Sequence, residues 1–429
     1  INIGVTGANP DVVYFFAWDK PSNSFKLYKY TYTTKQMILV ADKTSPGQHP
    51  NGNAIKLTDY YWGQAFYDWS FAIHPENEQE MFIGDISLFR TSDGGKTWTV
   101  MSGSSNDGGS VHVDMHTVEY STETKTPWVG CDGGIYRFAG PGKIWTRLNN
   151  LGITQVYRFG ISKLNDDLIL CGNQDNGVFQ RNDNGWNYRI IGDGSECIID
   201  PIDPSKMYGT IGNSGRIYKS TNGIKFDVQF LVPQEEQALW LFPLKMHPQL
   251  RHVLYTGFNN VWRTIDGGVS WEKISDFQKS ESITDVEIAP SNPSFIYTAF
   301  SSAAGLYRSE DGGKNWQMCT YPQTNLPVQD LLIHPGNEKI LYAAIGQTIM
   351  KSTDAGESWL KYNDGIENTV VLTLAYVNDA DEELYAGTSL AVYHKSTGQP
   401  WELFNEDLPH VLITELEVNE KHGTISAAT

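Results

Sequence analysis

The stretch Thr91–Trp98, TSDGGKTW, returns as Thr264–Trp271, TIDGGVSW, as Ser309–Trp316, SEDGGKNW, and as Ser352–Trp359, STDAGESW. Four near-copies mean either a repeated site or a repeated element of fold. The residue chemistry favours fold. A Ser or Thr at the first place and an Asp at the third bond neighbouring backbone N–H groups. The glycines permit positive φ, and the closing Trp packs between sheets. A reactive centre has little use for four identical copies, so these aspartates are read as structural.

The unit around the motif is clearest in ITDVEIAPSNPSFIYTAFSSAAGLYRSEDGGKNWQMCT, Ile283–Thr320. It parses into four short strands, TDVEIAP, SFIYTAF, GLYRS and NWQMCT, joined at Pro/Asn, Gly and Asp-Gly-Gly turns. The octapeptide is thus the turn from the third strand to the fourth. Trp98, Trp145, Trp186, Phe226, Trp271, Trp316, Trp359 and Trp401 mark equivalent places, 40 to 47 residues apart. A helix-free, four-stranded unit of that period is the blade of an all-β propeller. Nine complete units start near residues 1, 63, 111, 153, 193, 238, 283, 327 and 369, and a partial tenth starts near 411. No Pro- or Ser-rich linker divides them, so a single propeller domain over 1–429 in one ring is expected, with two interlocking smaller propellers as the alternative. The first unit is the most divergent, and Ala41–Trp62 is the longest insertion.

Composition agrees with short strands and tight turns: 40 Gly, 13 Trp and 22 Tyr in 429 residues. A net charge of −18 repels phosphate backbones, which argues against nucleic-acid binding. No apolar run approaches the roughly 18–20 residues that span a bilayer. Cys131, Cys171, Cys197 and Cys319 have no C-x-x-C spacing and read as buried unpaired thiols, which leaves the redox compartment open. The chain opens directly on strand-like sequence and ends within a unit. It reads as a piece of a longer secreted protein with flanking domains in the same chain.

The pattern S/T-x-D-x-G-x-x-W resembles the Asp-box, or BNR, repeat of sialidases, sortilin-type receptors and xyloglucan-degrading propellers. VHVDMHTVEYS, VGCDGGIYR and CGNQDNGVF look like a bacterial secreted, glycosyl-hydrolase-like branch common in Bacteroidetes, often with a type IX sorting domain. The resemblance implies a secreted or cell-surface propeller. The sialidase Arg-Ile-Pro segment is absent, as is the early Thr-Asp-x-Gly-Gly of xyloglucan hydrolases in the first unit. The catalytic residues of those families are therefore not carried over.

Propeller topology sorts the loops onto two faces. The Asp-boxes share one with Pro turns such as IHPENEQ and IHPGNEK, which gives His74, His247 and His334 structural duties. Unrepeated polar residues collect on the other. Trp62, Gln64, Tyr67, Asp68, Asp132, Gln174, Asp175, Asn176, Asp193 and Glu196 are the candidate ligand-binding set. Tyr60, Tyr61, Asn173, Asn259 and Asn260 accompany them. Carboxylates and amides bind sugar hydroxyls, and rings stack on sugars. Asp285 and Asp330 hold simpler versions of this place in later units. No cofactor is required, but period-two spacing in VHVDMH puts His112, Asp114 and His116 on one side of a strand, a candidate divalent-metal set. Two function classes stand: an extracellular recognition or adhesion propeller holding glycan or protein, and a glycoside hydrolase. The latter needs a carboxylate pair about 5–9.5 Å apart, drawn from Asp68, Asp175, Asp193 and Glu196.

Overall fold

The computed structural model describes the chain apart from residues 50–51, 61–62, 103–110, 140–143, 149–153, 213, 232, 234, 303–304, 323–325, 378–382 and 406–407. Among the described residues ten antiparallel-based sheets follow one another along the chain. Eight have four strands, the second has six and the tenth has two. Among the described residues the one helical element is a 3-10 turn, Leu57–Asp59. No described helix is long and apolar enough to cross a membrane. Nine complete propeller blades and a partial tenth are what the repeat predicts.

The motif performs the expected turn chemistry. Thr91 Oγ1 donates to Asp93 at 2.8 Å and accepts from Gly95 N at 3.0 Å, and Thr97 N donates to Asp93 at 3.0 Å. Gly94 and Gly95 have φ of 73° and 89°, which L-residues with a Cβ rarely adopt. The equivalent bonds recur at Thr264, Ser309 and Ser352. Each box is tied to its own sheet's first-to-second turn: Gly94 N to Gln79 O, Gly267 N to His252 O, Gly312 N to Ser294 O and Ala355 N to Lys339 O, all 2.8 to 3.0 Å. In those Pro turns His74, His247 and His334 accept backbone N–H bonds through Nδ1.

The chain divides into two compact units, Ile1–Ile153 and Thr154–Thr429. In the first, the innermost strands of sheets 1, 2 and 3 (Asn2–Gly4, Ser70–Ile73, Met115–Tyr120) stand side by side. Phe16 stacks on Trp69 with centroids 3.9 Å apart, and Trp98 is fully buried against sheet 1 residues Phe16, Phe25 and Leu27. The insertion expected after sheet 1 forms a hairpin, Pro46–Gln48 with Ala54–Lys56, which adds to the outer edge of sheet 2 beside Trp98–Val100.

In the second unit, sheets 4 to 10 close on themselves. The innermost strands Val156–Ile161, Gly194–Ile199, Leu244–Met246, Ile283–Ile288, Asp330–Ile333, Val371–Val377 and Glu415–Asn419 are neighbours in that order, and the last meets the first. Bonds between residues some 256 positions apart make the closure: Thr414 Oγ1 to Val156 O at 2.7 Å, Arg158 Nη1 to Thr414 O at 2.6 Å and Asn419 Nδ2 to Ser162 O at 3.2 Å. This corrects the expectation of one ring through every unit: the ring closes on seven sheets. The second strands lie between two neighbours, and Met207–Ile211, Ile296–Phe300 and Leu341–Ile345 are buried throughout. The four cysteines are buried free thiols, pushed up in pKa by burial, Cys131 and Cys319 to about 12.

Candidate functional site

In the first unit the chain from Gln64 to Asp68 makes a tight turn in which Tyr67 N and Asp68 N both donate to Gln64 O at 2.7 Å. The turn buries Asp68 and leaves Phe66 and Tyr67 exposed. The His116 ring faces two carboxylates: Nδ1 lies 3.3 Å from Asp68 Oδ1, and Nε2 bonds Asp132. Tyr67 meets the same ring edge-on at 4.9 Å. Gln64 Nε2 donates to Asp114 at 3.2 Å, and carboxylate oxygens of Asp114 and Asp132 approach within 4.8 Å. Burial, then the neighbouring Asp114, push the Asp68 carboxyl up to about 7. Among the described residues neither Asp68 oxygen has a hydrogen-bond partner, so the His116 approach is a contact and not a bond, and burial favours the neutral carboxyl of Asp68.

Sequence reasoning missed Asp85. It is fully buried, accepts from Gly63 N at 3.1 Å and Ile86 N at 2.9 Å, and is raised to about 6 by burial. Its signal was available: it follows the second strand of sheet 2 as Asp132 follows that of sheet 3. The metal trio does not share a strand face. Only His116 lies in Met115–Tyr120, while Asp114 sits at φ 64° before it and His112 Nδ1 contacts Val113 O at 3.2 Å. The ligand atoms of His112, Asp114 and His116 do not converge to within 4.8 Å of one another. A positive-φ residue ends the alternation on which the spacing argument rested. Trp62 and Tyr61 lie outside the described residues.

In the second unit Gln174, Asp175 and Asn176 form the turn after the second strand of sheet 4, with Asp175 at φ 55°. Asp175 N donates to Asp193 at 2.9 Å, and Asn176 Nδ2 donates to Gln174 O at 3.0 Å. Asn259 and Asn260 tie a turn down in the same way, both backbone N–H groups reaching Glu236. Much of this polarity therefore orders turns. Glu196 stands apart from Asp193, in the ring's central channel, where Arg158 Nε lies 3.3 Å from it. Burial raises its pKa, and Arg158 opposes the rise. Of the four catalytic candidates, Asp68 is fully buried, Asp175 sits at positive φ in the sheet 4 turn, Asp193 accepts the Asp175 backbone N–H and Glu196 is paired with Arg158.

A central channel is implied by the propeller, but the ion pairs that line it were not foreseen. Lys245 pairs with Glu287 at 2.6 Å, with Asp285 3.9 Å away. Asp285 accepts from Leu331 N at 2.9 Å, Asp330 from Leu374 N at 2.6 Å and Glu415 from Phe159 N, so each acid clasps the backbone of the following sheet. Burial raises Asp330 to about 6 and Glu287 to about 8, the latter against Lys245.

Residues 259–389 match the family described as Sortilin, neurotensin receptor 3. No curated protein matches the chain in sequence. Among solved structures, the BT4673 extracellular domain from B. thetaiotaomicron aligns over 96% of this chain and 56% of its own length, with 12% identity and a TM-score of 0.50. The chain thus spans little more than half of that neighbour. YCF48 from Cyanidioschyzon merolae aligns over 62% of this chain and 89% of its own, with 13% identity and a TM-score of 0.47. At such identities the likeness is one of fold. With its four boxes, its seven-sheet ring and a sortilin-like stretch over sheets 6 to 9, the chain is an Asp-box repeat β-propeller.

Proposed function

We propose that this is an extracellular recognition propeller that binds the hydroxyl-rich face of a glycan at the Asp68–His116–Asp132 array. The array itself carries the reading: carboxylate, imidazole and amide groups converge beside the exposed rings of Tyr67 and Phe66. Such groups donate and accept toward sugar hydroxyls while the rings cover the sugar's apolar face. Direct hydrolysis fits less well, because Asp68, the acid held near neutral pKa, is fully buried and cannot touch a glycosidic oxygen.

A glycan array scored for both capture and product release tests this. Asp132→Ala should weaken capture about tenfold or more, the scale of a charged hydrogen bond. Asp354→Ala, in a repeated turn, should leave affinity intact in the folded protein. Capture unaffected by Asp132→Ala would overturn the assignment, and released product would favour the hydrolase. A divalent ion is the second reading of the same site, favoured by the carboxylate oxygens of Asp68, both buried and, among the described residues, without a hydrogen-bond partner. Dialysis against chelator should then lower the melting temperature, and added Ca2+ should restore it. An unchanged melt removes the ion from the account.

A further inference from the structure

The box of sheet 7 leans on sheet 6. Trp316 Nε1 donates to Ile274 O at 2.9 Å, and Arg263 Nη1 donates to Gly312 O at 3.0 Å. Around these bonds the seam opens into a cavity of about 720 Å³. Small-ligand sites fall in the range of about 300–1,000 Å³. Phe277, Tyr307 and Trp316 supply the aromatic lining. Phe277 stands 4.7 Å from Tyr307 and 5.3 Å from Trp316, so the three rings form one contiguous cluster. All three are half-buried, and the core residues Ile283, Ile296 and Phe300 back them.

Two lysines line the cavity, one from each sheet: Lys273 from the fourth strand of sheet 6 and Lys314 from the box of sheet 7. Both are exposed, and among the described residues neither ammonium has an ion-pair or hydrogen-bond partner. The other cation of the lining, Arg263, is engaged by Glu272 at 2.9 Å, and the acid, Asp276, accepts from Gln278 at 2.7 Å. Lys279 adds a positive charge over the Tyr307 ring, 5.8 Å from its centre. The seam is thus positive in a chain whose net charge is −18. The scaffold repeats around the ring, but the lysines do not. At the registers of Lys273 and Lys314, the seam between sheets 5 and 6 has Val228 and Val269. That between sheets 7 and 8 has Met318 and Glu357. Packing is served at every seam, so an unrepeated pair of cations marks a role particular to this one.

We propose that the seam between sheets 6 and 7 binds a short run of uronic-acid sugars, which carry one carboxylate on each ring. The apolar C–H faces of the sugars lie on the aromatic cluster, and successive carboxylates pair with Lys273 and Lys314. The alternation of carboxylate and apolar face matches a lining of two separated ammoniums with rings between the sheets. An acidic peptide fits less well. A bound strand takes its affinity from main-chain bonds along a sheet edge, and the outer strands here, Glu272–Lys273 and Gln317–Met318, are two residues long. A phosphate-rich polymer is repelled by the rest of the chain. The proposal stands whether or not the Asp68–His116–Asp132 array binds glycan.

Titration calorimetry of the 429-residue protein with trigalacturonate at low salt tests this. Binding should appear at millimolar ligand or below and weaken as salt is added. It should fall about tenfold or more in the double variant Lys273→Gln, Lys314→Gln, and persist in Lys273→Arg, Lys314→Arg, which keeps both charges. Both positions are exposed, so the melting temperatures of these variants should match the parent's. Asp132→Ala should leave this affinity unchanged. No binding to the parent, or equal affinity in the glutamine variant, would overturn the proposal. Loss of binding in Asp132→Ala would overturn it too, by moving the uronate to the first unit's array. Equal affinity for neutral maltotriose or for a hexaglutamate peptide would do the same, because neither combines a carboxylate with a sugar ring.

Discussion

Aspartates do opposite things in the repeated turns and in the ring's channel. In the turns, Asp311 accepts from Asn315 N and Lys314 N and from the Asn315 amide and Ser309 hydroxyl. Those donors hold it down to about 2, and Ser358 with its neighbours does the same for Asp354. In the channel, Asp330 has one backbone donor, Leu374 N, and faces the charges of Asp285, Lys245 and Arg158. Burial, then Asp285, raise it to about 6. Both kinds recur from unit to unit and both hold backbone in place. Charge is kept where several donors converge on the carboxylate and resisted where burial dominates.

The largest effect belongs to the channel. Asp330→Ala removes the acceptor for a backbone N–H inside the ring and should cost about 1–3 kcal/mol by denaturant unfolding. Asp330→Asn keeps an acceptor and removes the charge, and its signature is in the pH profile. The folded value near 6 lies above the ordinary carboxylate value of about 3.9. The folded state therefore binds the extra proton, and this contribution is full below about pH 4 and lost as pH rises through about 6. Stability of Asp330→Asn should fall less than that of the parent between those limits. Equal slopes would mean that Asp330 is not the group that titrates.

The difference between the two regions also explains what could be read from the chain. The sheets begin where the period places them: Gly194, Ile283 and Val371 open sheets expected near 193, 283 and 369. Each boundary is signalled locally, by Asp-Gly-Gly turns and Pro turns. Ring closure is not, because any number of identical units satisfies the same pattern. The decisive bonds join Val156 and Arg158 to Thr414, residues with no shared motif. Arg158 and Lys245 were invisible as channel residues, since a single cation on an alternating strand reads like a solvent-facing one. The site was half legible. Gln64, Tyr67, Asp68 and Asp132 do gather, with His116 between the carboxylates. Glu196 left the group because it points inward from a first strand, into the channel.

The smallest effect, of opposite sign, belongs to the turns. Asp311 is held near 2 in the folded protein against about 3.9 in the unfolded chain. Its contribution is therefore present above about pH 4 and lost as pH falls through about 2. Asp311→Asn retains an oxygen for Asn315 N and Lys314 N but gives up the charge and the second oxygen that takes the Asn315 amide. The melting temperature at pH 7 should drop by a few degrees at most, because water and salt screen an exposed turn. Between pH 4 and 2 the gap to the parent should close, whereas the Asp330→Asn gap opens only as pH rises past 4. Melts of both variants at matched ionic strength across this range separate the two roles. A gap for Asp311→Asn that stayed constant into acid would mean that the turn is held by its hydroxyl and glycines alone. The aspartate's charge would then contribute nothing to the repeat.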